Sequence, residues 1–264
     1  MPSAAIHVGI GGWDYDPWRG TFYPQGLAKA KQLEFVGTRL TAIEINATHY
    51  KLQKPELFRR WASMVPEGFK FAIKASRFST NRRVLADGGE AVATFCAQGF
   101  TELGAKLGPI LWQFMPQKRF EPDDFAAFLK LLPASQDGIS LQHALEVRHE
   151  SFKDPRFVSM ARETGAAIVF ADSDDYPQIA DITADFVYAR LQRCREEIAT
   201  GYDDKALDRW SKVAASWAAG ERPDGLTYLG DEAVPARPRE TYVFFIAGAK
   251  VRAPTAAQAL LARL

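Results

Sequence analysis

Residues 143–148 read His-Ala-Leu-Glu-Val-Arg, and they alternate apolar with polar side chains as a β-strand with two different faces does. The leucine and the valine share one face, and Glu146 and Arg148 share the other. The stretch 42–46, Ala-Ile-Glu-Ile-Asn, has the same pattern, and in 69–75 two lysines lie opposite a phenylalanine and an isoleucine. Three short strands therefore carry a polar face that the fold has to accommodate.

Short apolar runs of this kind alternate with longer amphipathic runs along the whole chain of 264 residues. The predicted strands are 6–10, 42–46, 69–75, 109–114, 143–148, 166–171, 185–190 and 241–246. Helical patterns fill most of the gaps, at 27–39, 54–64, 88–105, 121–132, 154–164, 203–218 and 254–263. The gap 172–184 is too short and too polar for a full helix.

Eight strands that alternate with helices predict an α/β fold of the (β/α)₈, or TIM, barrel type, with an incomplete helix between strands 6 and 7. A doubly wound open sheet is the alternative. Strand parity, the alternation of side chains between the two faces of a strand, favours the barrel. An open parallel sheet is apolar on both faces and would bury these charges without partners. The polar faces then point into the barrel, and residues 1–264 are predicted to form a single domain.

Composition narrows the class of protein. The 33 basic and 32 acidic side chains leave a net charge of +1, which gives no overall attraction to nucleic acid or to an anionic membrane. No apolar run reaches the length of a membrane span, and the beginning of the chain lacks a basic signal region. Two cysteines cannot form a disulfide framework. We therefore expect a cytoplasmic protein with no membrane partner; its oligomeric state is left open.

Polar residues cluster at the predicted carboxyl ends of the strands, where barrel enzymes place their chemistry. We call the opening at these strand ends the mouth. Its predicted charges sum to one positive charge, from Lys74, Arg77, Arg148 and Arg190 against Glu44, Glu146 and Asp172. A surplus positive charge in a confined opening favours a small anionic ligand. The alternative is a polar plug in which these charges pair internally. The residues predicted to bind substrate are Trp13, Asn46, Lys74, Gln113, Arg148, Asp172 and Arg190.

Acid and base roles fall on Glu44, Glu146 and His149. The neighbouring cations would depress a carboxylate pKa, so either glutamate suits a base better than an acid, which leaves His149 as the proton carrier. A capping or loop histidine is the alternative for His149. Glu44, Glu146, Asp172 and a histidine could also hold a divalent metal, but no HxH or HExxH spacing supports this, and no metal or other cofactor is predicted.

Two loops offer further hypotheses. The loop 11–24 is dense in aromatic residues, which could form a stacking wall beside the ligand or a hydrophobic cap over the barrel. A basic cluster could follow a phosphate backbone; it consists of Arg77, Arg82 and Arg83, with Lys74 before them and Arg193 and Arg195 after the seventh strand. The alternative functions are therefore a nucleic-acid-binding or phosphodiester-processing protein and a ligand-binding barrel without turnover.

The stretches GGWDYDPWRGTFYP, EINATHYKLQKPE, GFKFAIKASRF, LGAKLGPILWQF and HALEVRHESF, with the strand DFVYARL, resemble the DUF72 family, which includes the YecE proteins, over nearly the whole chain. The resemblance implies a (β/α)₈-type barrel and points to the same mouth, while the family name denotes an unknown activity. After Arg190 the chain has Leu-Gln-Arg where relatives have Leu-His-Gly, and its last strand lacks the usual asparagine pair. These departures imply a diverged ligand or a lost activity.

Overall fold

The computed structural model describes residues 4–230 and 235–264, and in this part of the chain eight parallel strands form a barrel. Strand β6 is divided into two segments around Val169. The strands are β1 (Ile6–Gly11), β2 (Ala42–Ile45), β3 (Lys70–Lys74), β4 (Leu107–Gln113), β5 (His143–Glu146), β6 (Ala167–Ile168 and Phe170–Asp172), β7 (Phe186–Leu191) and β8 (Glu240–Phe245). Each predicted strand is present, and no predicted end differs from the observed end by more than two residues.

The sheet closes on itself through the divided strand β6. Its first segment pairs with β5, where Ala144 lies beside Ala167, and its second segment pairs with β7, where Arg190 lies beside Ala171. Strand β1 joins β8 on one side and β2 on the other. The prediction of a TIM-type barrel is therefore confirmed, and the open doubly wound sheet is excluded.

Most helices are shorter than predicted, whereas Asp204–Ala219 has the predicted length. The helices are α1 (Gln32–Gly37), α2 (Ala47–Tyr50), α3 (Pro55–Ser63), α4 (Arg77–Thr80), α5 (Gly89–Cys96), α6 (Pro122–Leu129), α7 (Pro155–Glu163), α8 (Asp204–Ala219) and α9 (Ala253–Leu261). Short 3₁₀ turns lie at Asp16–Trp18, Lys29–Lys31, Leu85–Gly88, Phe100–Lys106, Glu150–Phe152 and Lys250–Arg252, and Ser135–Gln136 pairs with Ile139–Ser140 in a small hairpin.

The predictions of unbroken helices at 27–39 and 88–105 are wrong. In the second of these stretches, Gly99 has a φ of 91°, a left-handed conformation that ends the α-helical run and starts a 3₁₀ segment. The region 172–184 contains no full helix, as predicted, but the incomplete helix expected between strands 6 and 7 is also absent.

Aromatic side chains fill the barrel interior at mid-height. Tyr188 and Phe244 are completely buried, and their ring centroids lie 5.1 Å apart. Gly9 makes room for this packing, because a Cβ atom there would lie 2.3 Å from the Ala42 carbonyl oxygen and 3.0 Å from the Phe244 ring. The apolar faces of the strands turn outward against the helices. Polar interior residues are therefore confined to the two ends of the barrel.

At the amino-terminal end, a group that we call the floor consists of His7, Lys70, Glu240 and Tyr242. The Glu240 carboxylate accepts hydrogen bonds from His7 Nε2 at 3.4 Å and from the Tyr242 hydroxyl at 3.1 Å, and Lys70 Nζ lies 3.8 Å away. The hydrogen bond from His7 and, against the effect of burial, the nearby Lys70 hold the pKa of Glu240 at about 2. The floor is thus a set of charges that satisfy one another.

Within the described residues, no helix combines the length and the apolarity that a membrane crossing requires. The strands of the one barrel come from both ends of the chain, from Ile6 to Phe245. The single domain over 1–264 stays a prediction, and residues 1–3 and 231–234 lie outside the part that the structure describes.

Candidate functional site

The carboxyl ends of the strands surround a cavity of about 710 Å³, which we call the first cavity. Parity places Glu44 and Glu146 inside the barrel beneath it, and both are completely buried. Six of the residues predicted to bind substrate line its wall: Trp13, Asn46, Lys74, Gln113, Arg148 and Arg190. The structure thus brings together most of the predicted site at one opening.

Arg190 connects the two buried glutamates. Its Nε and Nη2 donate to the two oxygens of Glu44 at 3.1 and 3.0 Å, and its Nη1 donates to Glu146 at 2.5 Å. The Tyr188 hydroxyl, two residues earlier on the same strand, donates to Glu44 at 2.7 Å. A guanidinium fork suits this double task because its five N–H donors are fixed in one plane.

Glu146 is held by more donors than Arg190 alone. Gln113 Nε2 donates to one of its oxygens at 2.7 Å, and Arg148 donates to the other through Nε at 3.2 Å and Nη2 at 3.1 Å. Burial by itself would raise the pKa of Glu146, but Arg190 and Arg148 outweigh burial and hold the value at about 2. Such a carboxylate is a weak base, so the structure does not favour the base role predicted for Glu146.

Lys74, the last residue of β3, differs from these paired groups. The residue is 8% exposed, and its Nζ makes no hydrogen bond or ion pair with the residues that the structure describes. Burial and the proximity of Arg190 lower its pKa from 10.5 to about 8, although the two glutamates act in the opposite direction. The wall of the first cavity therefore carries a buried amino group for which the described residues supply no hydrogen bond or ion pair.

A second cavity of about 900 Å³ adjoins the first, and Arg148 and Ala247 line both. The Arg148 guanidinium lies 4.4 Å from the centre of the Tyr176 ring, so this stacked pair stands at the boundary. Ala247 has a φ of 61°, which is uncommon for a residue with a Cβ atom.

Asp172 lies in this second cavity, apart from the other predicted substrate-binding residues. Its carboxylate pairs with Arg193 Nη1 at 3.0 Å and accepts a hydrogen bond from the Tyr202 hydroxyl at 3.0 Å. Burial nevertheless raises its pKa, because it outweighs both of these partners.

His149 is not among the residues that line either cavity. It precedes the 3₁₀ turn Glu150–Phe152, and its Nδ1 accepts the backbone N–H of Ser151 at 3.1 Å. This placement matches the alternative of a capping histidine, and it does not bring His149 to the mouth.

The aromatic loop 11–24 provides both a wall residue for the first cavity and a packed cap over the barrel, the two roles considered for it. Trp13 lines the first cavity and packs edge-on against Trp61, with ring centroids 5.1 Å apart. Trp18 and Tyr23 are almost completely buried, and the Tyr23 hydroxyl donates to the Trp13 carbonyl at 2.6 Å. Most of the loop is therefore packed as a cap, and this packing holds Trp13 at the wall.

Sequence reasoning missed several residues of the mouth. Tyr188 shares its strand face with Arg190, so parity alone could have found it. Tyr176 lies in the irregular stretch after β6, which has no periodicity to indicate a direction. Lys250 lines the first cavity with its Nζ 4.6 Å from the Tyr15 ring centre, and it follows the last strand in a turn that no motif marked.

In the part of the chain that the structure describes, no group of three or more His, Cys, Asp or Glu side chains has a metal-binding arrangement.

Comparison with known proteins agrees with this architecture. A family model described as "Protein of unknown function DUF72" matches residues 7–264. The chain belongs to the DUF72 family. The UPF0759 protein YunF of Bacillus subtilis is 27% identical over 158 residues, which cover 58% of this chain and 54% of YunF. YecE of Escherichia coli K12 is 26% identical over 150 residues, 56% of this chain and 50% of YecE, so the matched part spans about half the length of these curated relatives.

Solved structures of the DUF72 family share the fold. A family member from Thermotoga maritima superposes with a TM-score of 0.73 at 22% identity, covering 97% of this chain and 98% of its own. One from Enterococcus faecalis gives 0.70 at 17% identity and covers 98% of this chain and 94% of its own. SacUVDE gives 0.56 at 10% identity, covering 98% of this chain and 100% of its own, and at that level the likeness concerns the fold alone.

Proposed function

We propose that this DUF72 protein is an enzyme that binds a small anionic substrate, phosphorylated or carboxylated, in the first cavity. The observation that carries the proposal is the state of Lys74, which is 8% exposed and, among the described residues, has no anionic partner for its Nζ. Both buried glutamates are already neutralised by arginines. A buried cation that lacks a partner is costly, and an anionic ligand would supply the partner.

Charge counting supports the same conclusion. Lys74, Arg148, Arg190 and Lys250 carry four positive charges around the first cavity, against three negative charges on Asp14, Glu44 and Glu146. Arg190 uses its three donor nitrogens on the glutamates, so its role is to hold them. Arg148 is partly exposed and reaches the boundary of both cavities, which suits it to bind the anionic group.

The remaining roles follow from position. Lys74, with a pKa near 8, serves as the base in place of a carboxylate. Asn46 and Gln113 orient the ligand, and Trp13 forms an apolar wall. The predicted cytoplasmic location stays part of the proposal; both cysteines are free and buried, as a reducing compartment allows.

Calorimetric titration with inorganic phosphate and with a panel of phosphorylated and carboxylated metabolites tests the proposal. We expect binding to the wild type and its loss in Lys74→Met. The matched control is Lys205→Met, which removes a lysine from the second cavity and should leave binding unchanged. Absence of anion binding to the wild type contradicts the proposal. Binding without turnover of any panel member favours the ligand-binding barrel.

A nucleic-acid interface is the second candidate function, and a surface patch beside the first cavity favours it. Tyr50 and Phe78 are 64% and 59% exposed, and the Arg77 guanidinium lies 5.9 and 5.3 Å from their ring centres. Exposed aromatic rings interleaved with arginine are typical of surfaces on which single-stranded bases stack.

This candidate predicts that a single-stranded oligonucleotide binds with an affinity that falls steeply between about 50 and 200 mM salt. A Tyr50→Ala and Phe78→Ala double variant should weaken binding by about 1–3 kcal/mol per stacked base. An affinity that is flat with salt, or one that the double variant leaves unchanged, eliminates the nucleic-acid interface without affecting the anion proposal.

A further inference from the structure

We propose that Lys74 forms a Schiff base with the carbonyl carbon of an anionic aldehyde or ketone bound in the first cavity. This inference rests on the proposed function and narrows the substrate from any small anion to one that also carries a reactive carbonyl group. It gives Lys74 the role of a catalytic nucleophile, which replaces the role of base proposed above.

Comparison with other buried lysines of the chain shows what is unusual about Lys74. Lys118 is similarly buried, and its Nζ donates to the Arg83 carbonyl at 2.8 Å and to Asp124 at 2.6 Å. Lys106 is also well covered, and its Nζ donates to two backbone carbonyls at 2.8 Å. These lysines join parts of the fold. Lys74, bonded to no described protein group through its Nζ, faces a cavity instead.

Each oxygen of the two nearby carboxylates already accepts a hydrogen bond from a residue other than Lys74. Both oxygens of Glu44 accept from Arg190, and one of them also accepts from Tyr188. Glu146 accepts from Arg190 and Gln113 on one oxygen and from Arg148 on the other. The arginines thus hold the glutamates in place without leaving an acceptor dedicated to the lysine.

The surroundings raise the fraction of Lys74 that is the neutral amine, which is the nucleophilic form. A lysine becomes a nucleophile near neutral pH when it is desolvated or lies beside another cation, and both conditions hold here. With a pKa of about 8 instead of 10.5, Lys74 is neutral roughly 300 times more often at pH 7 than an ordinary lysine. The ionisable groups whose charges act on Lys74 or respond to it are Glu44, His49, Glu146, Arg148 and Arg190.

The step balances without a redox partner. The neutral Nζ of Lys74 adds to the carbonyl carbon, a C–N bond forms, and the carbonyl oxygen takes up a proton to give a carbinolamine. Loss of water then breaks the C–O bond and leaves a protonated imine, so that amine, carbonyl compound and one proton give iminium and water. The anionic group of the substrate lies against Arg148, and the positive iminium is stabilised by the two buried glutamates.

Reductive trapping on the intact wild-type protein tests the inference. The probe is pyridoxal 5′-phosphate, an aldehyde that carries a phosphate, with sodium borohydride added to reduce any imine to a stable secondary amine. Pyridoxal, the same aldehyde without phosphate, is the matched probe. Peptide mapping by mass spectrometry reports which lysines are labelled and how fast, and it compares Lys74 with the exposed Lys130 and Lys212.

At pH 7 we expect Lys74 to be labelled at least about tenfold faster than either exposed lysine, because so much more of it is neutral. Pyridoxal should label Lys74 more slowly than the phosphorylated probe, and inorganic phosphate should slow the labelling of Lys74 alone. Labelling of Lys74 no faster than that of the exposed lysines overturns the inference. The experiment needs no variant, so a folding defect cannot obscure its result.

Phosphate binding measured by calorimetry in parallel separates this inference from the proposed function. If phosphate binds in the first cavity but no Lys74 adduct is trapped, the Schiff base is wrong and the anion site survives. If phosphate neither binds nor protects Lys74, the proposed function fails, and the Schiff base fails with it because it requires that site.

Discussion

The two ends of the barrel interior contain the same kinds of side chain but treat their charges differently. On the floor, one carboxylate, Glu240, is surrounded by His7, Lys70 and a tyrosine hydroxyl, and Lys70 also donates to the Ala105 carbonyl at 3.1 Å. At the mouth, the cations outnumber the carboxylates by one, and Lys74 is left without a protein partner among the described residues. We expect the paired charges of the floor to stabilise the fold, and we propose that the surplus charge at the mouth binds an anionic ligand.

The largest expected effect concerns Arg190. Replacing it by methionine leaves the two completely buried glutamates without their shared partner, and removal of one side of a buried ion pair costs about 3–5 kcal/mol of unfolding free energy. Urea denaturation followed by circular dichroism measures the loss. The matched variant on the floor is Lys70→Met, which should cost about 1 kcal/mol or less because the group is partly exposed. Equal losses at both ends would contradict the comparison.

Lys74→Met should act in the opposite direction. The folded-state pKa of about 8 lies below the ordinary 10.5, so the unfolded chain binds more protons between these values and the wild type gains stability as the pH rises through them. At pH 7 the variant is expected to be more stable by an amount on the order of 3 kcal/mol, and the difference should disappear near pH 10.5. Denaturation curves at several pH values show this trend.

Lys118→Met is the control for Lys74→Met. It removes a buried lysine that has partners and leaves Asp124 uncompensated, so it should destabilise the protein. If both lysine variants lower stability at pH 7, Lys74 is a structural residue and the surplus at the mouth does not exist.

The effect of Arg148→Ala should be smaller and should appear mainly in binding. Loss of its charged hydrogen bonds is expected to weaken phosphate binding by about 1.5–3 kcal/mol, measured by calorimetry. Arg195→Ala removes a guanidinium from the second cavity alone and should leave the affinity as it is. If Arg195→Ala weakens phosphate binding and Arg148→Ala does not, the phosphate binds in the second cavity and not in the first.

The smallest effect is expected on the floor. Because the folded-state pKa of Glu240 is depressed from 4.5 to about 2, its contribution to stability is present above pH 4.5 and is lost as the pH falls toward 2. Glu240→Gln should flatten the acid limb of the stability curve over this range, by less than about 1 kcal/mol because the side chain is partly exposed. An unchanged acid limb would mean that the floor does not act as a paired set.

Strand parity predicted the fold and the position of the mouth. Alternation in 42–46 and 143–148 required Glu44 and Glu146 to share an interior, and the structure places both there. Helix lengths were less predictable, since the left-handed Gly99 interrupts a continuous apolar pattern.

The division of roles inside the mouth was beyond sequence reasoning. Parity gives the side of a strand but not the length and direction of a side chain, so it could not show that Arg190 reaches both glutamates while Lys74 reaches neither. The direction of His149, which caps a turn, and the separation of Asp172 into a neighbouring cavity depend on loop geometry after the strands. These are three-dimensional properties that no periodicity encodes.

The packed rings of Tyr188 and Phe244 at mid-height determine whether a molecule can pass through the barrel. Because these buried aromatics fill the barrel interior, a molecule that enters at the carboxyl ends of the strands cannot pass through to the floor. A molecule bound in the first cavity therefore exchanges with solvent on the side of the carboxyl ends of the strands, where the second cavity adjoins the first.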